Sequence, residues 1–351
     1  MKKHTMKFAL TVTTILILLT ATGSAVFGAS AASTPVTMMF AGDILLDGYV
    51  GTQIKKFGIH YPWMKVAPSL RKADIAFANL ETSVSVRGKP EANKMFTFRS
   101  EPKTLDGLKA AGVDGVSLAN NHILDYGTQA MLDTMVHLDR RGIGRTGAGS
   151  SRDQAFKPYV KTVKGKKIAI LGVSNVFSSS SWAAGAEKPG AASALTEEPL
   201  LSHVQKISSG SDFTVVYLHW NKEFQYTPEG YSRTLAKKLI DHGADLIVGA
   251  HSHTVMGGEF YKHKPIYYSL GNFIFNQSAR GGPKTVLSMM LSVTVLDGKV
   301  TGRIIPAKII GGQPRLMDAK FNAAMYAHFN KYSYNAKASA TGIVTEKTSG
   351  K

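Results

Sequence analysis

A chain of 351 residues with 44% hydrophobic content, no cysteine and a formal net charge of +18 is long enough to bury one large core. Without cysteine, disulfide staples, thiolate ligands and a cysteine nucleophile are excluded. The basic balance suits either plain solubility or anionic partners such as polymers, lipid head groups and wall polyphosphates.

The chain opens with the basic MKKHTMK, the apolar FALTVTTILILLTA and the small-residue AVFGASAAS. This reads as a secretory signal over residues 1–31, cleaved after Ala31, or as a retained N-terminal anchor. The apolar stretch falls short of the ~20 residues of a transmembrane helix. The expected location is secreted, or anchored on the outer face of the cytoplasmic membrane, and no nucleic-acid partner is expected. Loss of Lys2, Lys3 and Lys7 with the signal would leave a charge of +15. Residues 32–36 read as a linker, 37–315 as the main domain, and 316–351 as a C-terminal helix and tail.

Within the domain, apolar runs near 37–42, 75–80, 115–119, 168–173, 213–218 and 246–250 read as buried parallel strands. Helix-like stretches at 68–73, 102–112, 128–142 and 229–244 alternate with them, and the last two are closed by Gly142 and Gly243. The Ser/Ala/Gly-rich segment 176–194 reads as a long surface loop of a kind that can serve as a lid. Beyond residue 260 the pattern turns to antiparallel strands, with LDGKV as a hairpin turn. A terminal helix is expected over 318–334, and TEKTSGK as a frayed end.

Polar residues stand at the ends of the strand-like runs. Asp43 follows TMMFAG, Asn79 and Glu81 end DIAFANLE, and Asn121 and His122 follow GVSLAN. His219 follows FTVVYL, and His251 and His253 follow DLIVGA. Ligands of open α/β sheets bind at the carboxyl ends of the strands, where all these groups emerge. Carboxylates, amides and imidazoles converging there suit divalent metals, with manganese, iron and zinc equally compatible. Asp43 or Glu81 is placed to bridge two cations. His122 adjoins a ligand position and is the natural general acid. Gly42, Gly249 and Gly271 would let backbone approach the site closely, or simply serve turns.

Each residue also has a plainer role open to it. Asp43 can cap a turn, Asn121 can form an Asx-turn, Asp125 is expected to be a local cap, and a lone His219 can be a satisfied buried histidine. Company from His251 and His253 favours the ligand role for His219.

GDILLDG, ADIAFANLETSVS, SLANNHILDYG, LHWNKEFQYTP and GAHSHTVMGGEFYKHKPIYYSLGNFIFNQ stand in the order of the CapA family. The stretch from about 37 to 280 resembles these poly-γ-glutamate capsule synthesis proteins, of the calcineurin-like metallophosphoesterase superfamily. The resemblance implies a four-layer αββα sandwich with one or two divalent metal ions at the strand ends. It implies Asp43, Glu81, Asn121, His219, His251 and His253 as ligands and His122 as the catalytic histidine. Asp43-Ile44-Leu45 stands where the superfamily has Asp-x-His, and Asn79-Leu80-Glu81 where it has aspartate, departures usual for the CapA-like branch.

Two functions from different classes follow. One is a hydrolase acting on the γ-linked glutamate polymer or on phosphoesters. The other is a non-catalytic accessory protein that binds the anionic polymer beside a membrane-bound synthase complex. Asn79, Arg99, Glu223 and Asn272 are candidate substrate contacts. A phosphate-clamping arginine would favour phosphoesters, and Arg99, Arg145 and Arg280 are the candidates.

Overall fold

The computed structural model describes residues 1, 2, 9, 34–276 and 281–347. The chain divides into two compact units, Met1–Ser33 and Thr34–Lys351. The expected signal and its cleavage point at Ala31 lie outside the described residues, as does Arg280. Among the described residues no helix is long and apolar enough to cross a membrane.

Strict alternation along the strands builds the second unit. In the strand Val36–Ile44, Met38 and Phe40 face one way and Met39 and Ala41 the other, and all four are buried. A strand buried on both faces lies inside a stack of layers, because side chains alternate with period two. Ile75 and Phe77 of the strand Ile75–Leu80 join Met38 and Phe40 in the central core. Across from them come Ile168 and Ile170, Phe213, Val215 and Tyr217, and Leu246 and Val248 from a second sheet. The outward residues of the first sheet pack on helices Gly48–Phe57, Thr104–Ala110 and Gly127–Arg140 through Ile54, Leu108 and Met131. Those of the second, such as Val216 and Leu218, pack on Leu200–Ser208 and Gly230–Asp241 through Val204 and Leu239. Helix, sheet, sheet, helix is the four-layer αββα sandwich expected.

The larger sheet has ten strands and the other six. In the larger one, Val36–Ile44 is flanked by the parallel Ile75–Leu80 and by the antiparallel Leu287–Leu296. The short strand Asn272–Ile274 also pairs with it, placing Asn272 beside Asp43. In the smaller sheet, Phe213–His219 lies between Lys166–Ser174 and Leu246–Ala250, all parallel, so their carboxyl ends come together. The LDGKV hairpin forms as expected: Leu296 pairs with Lys299, and Asp297 and Gly298 both take positive φ.

Four local expectations change. The 68–73 helix is the shorter Ala67–Leu70. The 176–194 segment is no free surface loop: Trp182 is buried, and Gly190–Ala191 pairs with Ala148–Gly149. Small residues there permit close packing, which a Ser/Ala/Gly-rich composition shares with open loops. The C-terminal helix is Ala319–Lys331, capped by Asp318 through the Phe321 N–H. The tail then returns to the large sheet as Ala336–Ala338 and Ile343–Glu346, so Thr345 and Glu346 are paired rather than frayed.

Candidate metal centre

Close backbone contact between two loops sets the floor of the site. A side-chain carbon on Gly42 would lie 1.8 Å from the carbonyl oxygen of Gly271, and one on Gly249 2.0 Å from that of Tyr268. Only glycine lets these strand ends approach so closely. Asp43 follows directly and is fully buried, its Oδ2 accepting the His251 N–H at 3.1 Å. His251 and His253 fall just past the strand Leu246–Ala250, with φ of 88° and 57°. Left-handed backbone at a non-glycine residue is strained, and two such residues turn both imidazoles inward.

Around this floor the side chains interlock. Asn79 Nδ2 donates to Asp43 Oδ1 at 2.8 Å and lies 3.2 Å from His219 Nδ1. His219 Nε2 lies 2.9 Å from Asn121 Oδ1 and 3.5 Å from Glu81 Oε1. His253 Nδ1 lies 2.8 Å from Asn272 Oδ1, whose own amide group donates to the Thr285 carbonyl. Ligand atoms of Glu81, His219 and His251 fall within 4.8 Å of one another, and so do those of Asp43, Glu81 and His253. Glu81 belongs to both triads.

Several polar atoms at the centre lack partners. Among the described residues, both carboxylate oxygens of Glu81 and Nδ1 of His251 are buried without a hydrogen-bond partner. Burial, reinforced by Asp43 and Glu223, pushes the Glu81 carboxyl well above the usual carboxylate range. Burial also raises Asp43. His219 and His251 are held well below the ordinary imidazole range, by burial first and by neighbouring imidazoles second. Neutral imidazoles beside a carboxyl group that lacks donors are the set a divalent cation satisfies. The residues present therefore fit the metal expected from the sequence, with oxygen and nitrogen donors and no sulfur.

His122 sits at the rim with its own support. Its Nδ1 lies 2.7 Å from Asp125 Oδ2, and its Nε2 faces Glu81 at 3.9 Å. Phe98 packs against the ring at 4.6 Å, and the Phe98 N–H donates to Asp125. Asp125 is thus not the local cap expected but the buried residue that orients His122. Lys94 was not singled out from the sequence. Its ammonium bonds the Asn121 carbonyl and Asp125, lies 3.2 Å from His122 Nδ1, and stands over the Trp182 ring. Asn120 was also passed over; it donates to Asn79 Oδ1 at 3.0 Å and accepts the His122 N–H. An Asn-Asn pair at a strand end is the available signal, although local sequence does not say which amide faces inward. Nothing near Lys94 in sequence marks it.

The remaining candidates divide. Glu223 is half-buried and near enough to act on the Glu81 carboxyl. The guanidinium of Arg99 instead donates to the Arg87 and Gly88 carbonyls and stacks over Tyr126 at 4.2 Å. Arg145 makes a bidentate pair with Asp139.

The model of the bacterial capsule synthesis protein family PGA_cap matches residues 37–277, which hold every residue of both triads. The chain belongs to this family. Among its relatives, the capsule biosynthesis protein CapA of Bacillus anthracis is 31% identical, over 80% of this chain and 69% of that protein. The PGA biosynthesis protein CapA of Bacillus subtilis is 34% identical over 68% of this chain and 63% of its own length. A probable polyglutamine synthesis accessory protein of Mycobacterium tuberculosis is 29% identical, over 71% and 69%. Likeness to solved structures is looser: the NAD nucleotidase of Haemophilus influenzae is 12% identical at a TM-score of 0.44, over 80% of this chain and 51% of that one. A likeness that loose says nothing about the reaction. Within the PGA_cap family, the strand-end residues Asp43, Asn79, Glu81, Asn120, His219 and His251 form one interlocked cluster in this chain.

Proposed function

We propose that this chain is a CapA-like accessory protein of poly-γ-glutamate synthesis whose strand-end cluster binds one or two divalent cations and hydrolyses bonds of that polymer. The observation that carries this reading is Glu81, shared by two triads, with both oxygens buried and lacking donors. Cations bound there supply Lewis acidity and a more acidic water. The protein's own residues do the rest. Asn79 and the His251 N–H fix Asp43, and Asn120 in turn fixes Asn79. Asp125 holds His122 through Nδ1, which leaves Nε2 facing the centre to take a proton from the attacking water and pass it to the leaving group. Among the described residues the candidate clamps Arg99 and Arg145 are already engaged, and the names of the capsule relatives support an amide of the γ-linked polymer as the substrate. The N-terminal sequence supports action outside the cytoplasmic membrane, and the accessory role named for a relative supports a place beside a membrane-bound synthase.

One observation favours polymer binding without turnover. Leu45 stands where the superfamily has a ligating histidine, and it packs among Phe275 and Ile309. Elemental analysis of the purified protein, with assays on poly-γ-glutamate and a phosphodiester, decides between the readings. Bound metal with polymer cleavage lost on chelation is expected. Bound metal without cleavage would replace hydrolysis by binding, and no metal under any loading condition would overturn the site.

A further inference from the structure

At the opposite end of the smaller sheet lies a second feature, unconnected with the metal ligands. Lys157, Lys167 and Lys206, with His203, line a cavity of about 400 Å³. Their three ammonium groups carry no hydrogen bond or ion pair among the described residues, whereas Lys161, Lys164 and Lys264 nearby are each paired with an aspartate. Asp153 is the one carboxylate lining this cavity, and Asp139, held by Arg145, lines the adjoining one. The His203 imidazole stacks flat on Phe156, 4.5 Å between centroids and 9° between planes. A second cavity of about 600 Å³ shares Lys157, Pro158 and Val160 with the first. The two adjoin at the start of the edge strand Tyr159–Val163 and together make a trough.

We infer that this trough is a holding site for an extended polycarboxylate, the γ-linked glutamate polymer itself, separate from the metal centre. The inference rests on the polymer named in the proposed function, though not on its hydrolysis. Unpaired ammonium groups are mutually repulsive and gain from an anion brought among them. Lysine acts as a point charge toward carboxylates, and Arg145, the arginine lining the adjoining cavity, is closed by Asp139. A trough shared by two cavities takes a chain rather than a single anion. Lys167 and Ser174 mark opposite ends of one strand, and Ser174 pairs with His219. At ~3.3 Å per residue the trough lies roughly 23 Å from the metal centre. A chain anchored there would stay with the protein whether or not the centre acts on it.

The test is binding of poly-γ-glutamate to the purified full chain by calorimetry, with polyphosphate in parallel. The comparison is between the parent, K157A/K167A/K206A and H251A/H253A. The three lysines are exposed, so their removal leaves the core intact. Expected is a ~10-fold or greater loss of polymer affinity in the triple lysine variant, salt-dependent in the parent. The histidine variant should lose metal but keep this affinity. Polymer affinity unchanged in the lysine variant would overturn the inference, and so would loss confined to polyphosphate. Loss in the lysine variant from a protein that shows no hydrolysis would uphold the trough and remove only the catalytic reading.

Discussion

Oε1 of Glu81 stands 3.5 Å from Nε2 of His219, yet neither Glu81 oxygen accepts a hydrogen bond among the described residues. A buried carboxyl without donors lowers the stability of the metal-free protein. Replacing it with an apolar group of similar size separates stability from metal binding. Glu81→Met should bind less metal than the parent by elemental analysis. In chelator it should be more stable than the chelated parent, by ~1–2 kcal/mol in denaturant unfolding. Equal metal content in the variant would remove Glu81 from the ligand set.

The Asp125–His122 pair makes a different prediction. Asp125→Asn would keep a hydrogen-bonding group next to Nδ1 but lose the charge that fixes the ring. Polymer cleavage should drop ~10²–10⁴-fold, with metal content unchanged. A fall in metal content of the same size would show that Asp125 supports the ligands rather than His122.

Gly42→Ala tests the floor. Its added carbon would fall 1.8 Å from the Gly271 carbonyl, on backbone that cannot swing aside. The expected loss is about 3 kcal/mol in denaturant unfolding, together with weaker metal retention. A variant as stable as the parent would show that the two strand ends can part.

Asp133, away from the site, predicts a pH effect. It accepts from Arg87, Ser85 and Gln129, and these bonds, Arg87 foremost, hold its carboxyl well below the usual range. A folded pKa below the unfolded one gives stability that is present above ~4 and lost as pH falls through the folded value. Arg87 is largely solvent-exposed, so screening limits the effect to ~1 kcal/mol at neutral pH. Asp133→Asn should show that deficit at pH 7, and the gap should narrow steadily below pH ~4. A gap independent of pH would assign the loss to packing.

Much of this was legible because strands buried on both faces leave continuous apolar runs, and their ends mark where a site can form. The runs at 75–80 and 246–250 match the strands residue for residue. Asp43, Glu81, His219, His251 and His253 were found in this way and are brought together in space. Residues acting across long sequence gaps were not. Lys94 reaches His122 from 28 positions away, out of a segment without regular structure. Arg99 sits in a segment that does approach the site, through Phe98, but its guanidinium turns the other way. The helix Gly48–Phe57 was missed because two glycines and two adjacent lysines blur its apolar stripe. It is held by Val50 and Ile54 against the core rather than by local propensity.

The pairing of Phe40 with Leu291 has a consequence for how the molecule is made. The first strand of the large sheet is also one of its central strands, and one of its neighbours is 251 residues downstream. At ~5–20 residues per second, a ribosome needs roughly 10–50 s to supply that neighbour. For that interval the earliest strand has one long edge without its final partner. The sheet closes only when nearly the whole chain has been synthesised, so its completion belongs to the end of translation or after it.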